Sequence, residues 1–356
     1  MTELIQGRCL LMCPERERCM RERKGLLHRF EIDENTKTSR QPKADPMKTV
    51  KCFGRPAAGL VMTDPSQLRP AAVLLSTIRY LFTKVATRTD VDWIAIYDFL
   101  FDRLRAVRQD VAIQRIDVAS SISIFEPIVR FLIYSTQRLC DRNISEFDTT
   151  INNRHLFECI SHLLILYDQW DQKVRTSDIS DISMEQLKLD NNREQMEAAY
   201  ILLNMGNVEA LTRALTLPLC LRKSANVQLS MKISFAWYLK NYVRLCSLIA
   251  RLPPLLMCTA MINMTNIRRT TLKIMSSGYN SKVLTFPGLK LQQLLLYRDI
   301  ETVLADCELH GQTSVDQNIL FQKATFREAA GSKNSAIYYT RQIIHDFLPS
   351  ILLESV

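Results

Sequence analysis

Apolar residues recur at helical spacing along most of the chain from Leu68 onward. In LRPAAVLLSTIRYLFTKVA they stand at 74, 78, 81, 82 and 85, behind Pro70 near the first helical position, where a missing N–H costs little. WIAIYDFLFDRLRAVRQDV repeats the pattern at 93, 96, 97, 100, 104 and 107. Between 145 and 170, Leu156, Cys159, Ile160, Leu163, Leu164 and Tyr167 share one face. A polar stretch, TSDISDISMEQLKLDNN at 176–192, reads as a loop. EQMEAAYILLNMGNVEALTRAL then reads as helix, tight Met-Gly-Asn turn, helix, which is one unit of a helix-pair solenoid without a strict sequence period. Helical patterning continues through 227–250 and 255–277.

Both ends differ from this middle. Residues 31–66 carry Pro42, Pro46, Pro56 and Pro65 and the polar run DENTKTSRQ, with no sustained period, so an extended arm is expected. Toward the other end, short helices are expected from about 288 and over 299–309, closed by Gly311. The β-leaning pieces TSVDQ and ILFQKATF follow. Short helices followed by a small hairpin outline a winged helix. The fold class read from these patterns is all-α, a helical array capped by that small module.

Composition agrees. Only 9 of 356 residues are glycine, well under the average of about 7%, and folds rich in tight turns and phosphate-cradling loops use more. No apolar leader follows Glu3 and Arg8, and the most apolar stretch, LIARLPPLLMCTAMI, is broken by Arg251 and Pro253-Pro254. No membrane-spanning segment or secretory leader is therefore expected. Ten cysteines in such a chain read as reduced thiols, mostly small apolar core residues.

Charge changes the picture more. The net charge is +9, yet Cys220–Ile300 holds twelve Lys/Arg against a single acid, Asp299. That segment is +11, so the remainder sums to −2. A localised basic field attracts nucleic acid or an acidic partner. Helix 299–308 itself carries Asp299, Glu301, Asp306 and Glu308 and no Lys or Arg. Phosphates repel such a helix, so base reading through it is not expected. The candidate phosphate contacts flank it: Arg268, Arg269, Lys273, Lys282, Lys290, Arg298, Lys323 and Arg327. An acidic protein is the other partner these charges fit.

Catalytic signatures are missing. There is no P-loop, no GxGxxG, no HExxH and no GxSxG, and the five histidines are scattered. The chain is read as a non-enzyme without a cofactor. One charged cluster does stand out, FLFDRLRAVRQDVAIQR at 99–115. Asp102, Arg105 and Gln109 share one helix face, and Arg103, Val107 and Asp110 share another. Such faces serve as a solvated ion-pair ladder, fix a second element, or bind a partner's carboxylates or phosphates through Arg forks.

These residues also carry a family resemblance. GxCxxMCPxxE (Gly7, Cys9, Met12, Cys13, Pro14, Glu17), FE at 30–31, VKCFGRPAAG at 50–59 with Arg55, LRP at 68–70 and DRLRAVRQD at 102–110, including Arg108, stand in the order and spacing of the Sac-three/GANP signature (germinal-centre-associated nuclear protein). The pattern Asn152, Leu156, Cys159, Leu163, Leu166, Tyr167 and the NYVR at 241–244 fit the same family. One departure is Arg55-Pro56, where the family block has Arg-Ser.

The resemblance implies a PCI-type architecture: a TPR-like helical array capped by a winged helix, acting as a scaffold. Family members nucleate the transcription-and-export complex two (TREX-two) of mRNA export. There the domain pairs with a second PCI-domain protein, a small acidic proteasome-lid-type protein joins them, and the paired winged helices offer a basic platform to RNA or DNA. A short metazoan branch, which this chain resembles in length, is linked instead to centrosome duplication and mitosis. The nucleoporin-like, acetyltransferase and centrin-binding regions of the large scaffolds are not expected here. The implied location is the nucleus, or alternatively the cytoplasm and centrosome.

The cysteines of GRCLLMCPERERCMRER can then be weighed. Cys9, Cys13 and Cys19 are separated by three and five residues, and nothing fixes His28 nearby. A zinc knuckle needs tighter spacing, so no metal site is assigned. LLMCP reads as an apolar plug, Pro14 as a helix opener and ERERCMRER as a charged helix face. The expected organisation is a signature segment and arm at 1–66, a helical array at 67–277, a winged-helix region at 278–340 and a C-terminal tail at 341–356.

Overall fold

The computed structural model describes residues 5–54, 64–176 and 184–328, with Leu352 beyond them; in 175–176 and 184–191 only the backbone is described. Arg55 and the tail at 341–356, Leu352 apart, lie outside the described residues. The described chain is mostly helical. In order it forms α1 (Glu15–Arg23), α2 (Ala71–Tyr80), α3 (Trp93–Gln114), α4 (Val118–Arg138), α5 (Thr149–Thr176), α6 (Met184–Leu203), α7 (Val208–Thr216), α8 (Leu219–Lys223), α9 (Ala225–Tyr238), α10 (Tyr242–Ile249), α11 (Pro254–Met261) and α12 (Met264–Gly278). Then come β1 (Phe286–Pro287), α13 (Gly288–Leu294), α14 (Ile300–Leu309), β2 (Thr313–Val315) and β3 (Asn318–Leu320). It divides into two compact units. The first holds residues up to 129 and from 162 to 176, with Leu352; the second holds 130–161 and 184–328.

In the first unit, Pro14 and Pro70 precede α1 and α2, as the sequence suggests. A π turn, Leu81–Val85, continues α2. Asp92 caps α3 by accepting from the Ile94 N–H at 2.8 Å. The apolar stripes of α2 and α3, including Leu74, Ile78, Ile96, Leu100 and Leu104, are buried against each other. The charged face read in α1 is only partly solvated, since Arg21 is buried.

Helix α4 was not legible as a periodic element. Ile122, Ile124, Phe125, Ile128, Val129, Phe131, Leu132 and Ile133 are buried nearly all round, so no polar face marks its period. Pro127 lies inside it. Among the described residues α4 is the one helix long and apolar enough, by length and composition, to cross a membrane. Most of it is buried, and Glu126 and Arg130 interrupt it: Glu126 accepts from the Tyr167 hydroxyl at 2.6 Å, and Arg130 donates to Gln195 Oε1 at 2.9 Å.

In the second unit, α6 packs on α9 and α11, and α9 on α10. The backbone is already helical from Met184, where a loop to residue 192 is the sequence expectation. The polar composition of MEQLKLDNN hides good helix formers. Gly206, at φ 75°, turns the chain between α6 and α7, and an added Cβ would collide with the Trp237 ring. Lys240, at φ 56°, splits the periodic stretch 227–250 into α9 and α10. At the end of the described chain, a three-stranded antiparallel sheet has the order β1-β3-β2, with Phe286 opposite Ile319 and Ser314 opposite Ile319 on the other side. β1 is too short to show in the sequence, and β3 stops at Leu320, ahead of the expected 319–326.

Candidate functional site

The signature blocks meet in the first unit around two buried carboxylates. Glu31 has no exposed side-chain surface. It accepts from Arg21 Nη1 at 2.7 Å, Arg21 Nη2 at 3.3 Å, Arg103 Nη2 at 3.2 Å, and the backbone N–H groups of Val50 at 3.0 Å and His28 at 3.1 Å. Burial alone would raise its carboxyl, but the guanidiniums of Arg103 and Arg21 outweigh burial and hold it below its ordinary value. Arg103 also pairs with Asp102 and lies 4.4 Å over the Phe99 ring.

Asp110 is equally buried. Lys51 Nζ donates to it at 2.6 Å and Arg69 Nε at 2.7 Å. Lys51 Nζ also donates to the Gln67 carbonyl at 2.7 Å, and Arg69 Nη1 to the Met12 carbonyl at 3.2 Å. Gln114 extends the network: its Nε2 donates to the Arg69 carbonyl at 2.8 Å, and its Oε1 accepts from the Gly7 N–H at 2.7 Å. Burying four cations, Arg21, Lys51, Arg69 and Arg103, around two carboxylates is tolerable only because they pair so closely and donate further to backbone carbonyls.

The two faces of α3 thus have two jobs. Arg103 and Asp110 fix the buried ends of the signature segment. Asp102, Arg105 and Gln109 hold residues 53–54: Asp102 accepts from the Phe53 N–H at 3.2 Å, Arg105 lies 3.8 Å over the Phe53 ring, and Gln109 donates to the Gly54 carbonyl at 2.9 Å. Arg108 lies on the same helix, half-buried. The cluster therefore binds this chain's own arm. The sequence reading singled out the α3 half only. Of the other half, Glu31, Lys51 and Arg69 sit inside the signature blocks, one charge per block, which is the available signal, while Arg21 lies beyond the first block in the helix face ERERCMRER.

Cys13 is buried with its thiol pushed up to about 12 by burial, and Arg21 Nη2 lies 3.5 Å from its sulfur. Cys9 and Cys19 are half-buried. Among the described residues no three His, Cys, Asp or Glu side chains are grouped to hold a metal.

The flanking basic residues are in the second unit. Arg269, Lys273, Lys282, Lys290, Arg298, Lys323 and Arg327 are exposed. Lys273 pairs with Glu328 at 2.5 Å and Arg298 with Asp299 at 3.5 Å. Arg268 is different: it is buried, donates to the carbonyls of Leu295 at 3.1 Å and Leu296 at 2.5 Å, and lies 4.0 Å over the Tyr297 ring. It is therefore a packing residue and no part of the exposed basic surface. The Tyr297 hydroxyl donates to Asp306 at 2.5 Å, and burial with that carboxylate raises the phenol well above its ordinary value. Tyr297, Arg268 and Asp306 border a cleft of about 1210 Å³ that also takes in Arg142, Arg269 and Glu301. Three cations face three carboxylates there with Asp141, so its charge selects no ligand.

Comparison with known proteins fits this arrangement. A model of the SAC3/GANP family matches residues 12–316. The chain is 26% identical over 333 residues to SAC3 family protein 1 of Schizosaccharomyces pombe, covering 88% of this chain and 30% of that protein. It is 26% identical over 257 residues to Protein xmas of Drosophila melanogaster, covering 69% and 11% of the two chains. It is 31% identical over 177 residues to SAC3 family protein B of Arabidopsis thaliana, covering 48% and 10%. The chain thus spans a third or less of the length of these relatives. The matched span takes in Cys13, Glu31, Lys51, Arg69, Arg103 and Asp110, and with a family match over most of its length the chain belongs to the SAC3/GANP family.

Proposed function

We propose that this protein is a non-catalytic PCI-type scaffold that pairs with a second PCI-domain protein and contacts RNA without sequence preference, in the manner of TREX-two in nuclear mRNA export. One observation carries the reading. The last helix of the array, α12, leads into β1, α13, α14, β2 and β3 with sheet order β1-β3-β2, and counted from α12 this is the element order of a winged helix. In this reading the signature arm is 1–66, the array 67–277, the winged-helix region 278–340 and the tail 341–356.

Two surfaces of that module support the two contacts. Val283, Leu284 and Leu289 are 83%, 76% and 61% exposed beside β1, an apolar edge suited to a protein partner. Arg269, Lys282, Lys290, Lys323 and Arg327 supply the phosphate contacts. With Glu301 and Glu308 exposed on α14, the helix itself does not read bases.

The test is binding of the purified chain to labelled single-stranded RNA at low and moderate salt, beside a variant with Arg269, Lys290 and Lys323 changed to Glu. Steeply salt-dependent binding that the variant loses supports the reading. Absence of binding at low salt favours the second reading, a mitotic or centrosomal interaction protein working through the apolar edge alone, in the cytoplasm or at the centrosome.

A further inference from the structure

The longest acid-free stretch of the chain has a surface that the pairing and RNA contacts do not use. No Asp or Glu occurs from Ala210 through Arg298, while thirteen Lys or Arg do. Just before it, the α6–α7 turn sits on the end of α9, whose own residues fall inside the stretch. Gly206 lies against the Trp237 ring and its N–H donates to Ser234 Oγ at 2.9 Å. Trp237 in turn meets Tyr242 of α10 edge-on, with ring centroids 5.5 Å apart. Around this junction Val208, Tyr238, Leu239 and Val243 are 62%, 60%, 72% and 55% exposed. Phe235, one turn before Leu239 on α9, adds to them. Lys232, Lys240 and Arg244 flank the patch, all exposed, and among the described residues none of the three makes an ion pair. Nearest in sequence among the acids is Glu209, beside Val208.

We propose that this junction of α7, α9 and α10 is a docking surface for an acidic amphipathic helical segment of another protein. A row of apolar side chains on the segment covers Tyr238, Leu239 and Val243, and carboxylates on either side of that row meet Lys232, Lys240 and Arg244. The surface shares no residue with the C-terminal module, although α10 also packs on α13, so the proposal does not rest on RNA binding.

The apolar residues choose protein over nucleic acid. Single-stranded nucleic acid binds on aromatic platforms beside cations. Here the two most exposed members, Leu239 and Val208, are aliphatic and offer no stacking face, and Val243 is a third aliphatic beside Tyr238. An amphipathic helix laid across apolar anchors uses aliphatic side chains directly. The cations exclude a basic partner and favour an acidic one, and they set its orientation and rate of arrival more than its affinity.

The test measures anisotropy of a labelled helical peptide with Leu at i, i+3, i+4 and i+7 and Glu between, added to the full chain. A peptide of the same composition with the stripe scrambled, and labelled oligouridine, run beside it. Expected is binding of the striped peptide that weakens about tenfold or more in the double variant Leu239→Ser, Val243→Ser, weakens in Lys240→Glu, Arg244→Glu, and is unchanged in Lys290→Glu, Lys323→Glu. All substituted positions are exposed, and circular dichroism confirms that each variant is folded. Equal binding of the two peptides, no binding of the striped one, or oligouridine binding that the Leu239, Val243 variant abolishes would each overturn the proposal.

Discussion

Glu31 and Arg103 stand 72 residues apart in the chain, yet a guanidinium nitrogen of Arg103 lies 3.2 Å from a carboxylate oxygen of Glu31, and both side chains are buried. This pair ties the N-terminal signature segment to α3. It converts a string of short sequence blocks into one structural unit.

Removing the charge of Glu31 leaves two buried guanidiniums facing each other. Glu31→Gln is expected to cost about 3–5 kcal/mol. Urea unfolding followed by circular dichroism measures it, and a loss below about 1 kcal/mol would show that the network is not a keystone of the unit.

Acid should act in two stages. Burial holds the half-buried His28 imidazole down to about 4 against an ordinary 6.5, so the unfolded chain takes up that proton first. The stability His28 contributes is complete above 6.5 and declines as pH falls toward 4. Glu31, held below its ordinary value, contributes stability that is complete above the ordinary carboxylate range and is lost at lower pH, as the solution passes through its folded value. The urea midpoint should therefore fall between pH 7 and pH 5, and His28→Gln should flatten that decline.

Gly7 has no room for a side chain. A Cβ there would meet the Leu68 carbonyl and Gln114 Oε1. Gly7→Ala is expected to destabilise by about 1–3 kcal/mol, read as a lowered thermal midpoint, whereas alanine at the open Gly54 should change it little.

Arg268 and Arg269 are neighbours with opposite roles. Arg268→Ala strands the Leu295 and Leu296 carbonyls and empties the face of Tyr297, a loss of about 3 kcal/mol. Arg269→Ala, at an exposed position, should stay within about 0.5 kcal/mol of wild type. Hydrogen exchange over 286–320 separates the two: protection falls in the first variant only.

The helices with one wet face were legible, because α3, α5 and α7 alternate apolar and polar sides at helical spacing. Helix α4 was not, because it is buried nearly all round, and the start of α6 was not, because its first residues are polar. Of the signature network, the sequence revealed the half on one helix, where spacing places Asp102 with Gln109 and Arg103 with Asp110. The partners arrive from loops, where no period relates Glu31 to Lys51 or Arg69. Arg268 looked like its neighbours because charge alone does not say which arginine of a pair faces inward.

The long loops closed by the carboxylates impose an order on synthesis. Lys51 and Arg69 find Asp110 only 59 and 41 residues later, and Glu31 waits 72 residues for Arg103. At about 5–20 residues per second, Glu31 spends about 4–14 s out of the ribosome's active centre before Arg103, its partner on α3, is made. Throughout that interval Arg21 can reach Glu31, but the apolar plug and this pair have no α3 to fold onto. The nascent signature segment is then a ready substrate for chaperones, and any message truncated before α3 yields a chain that cannot close.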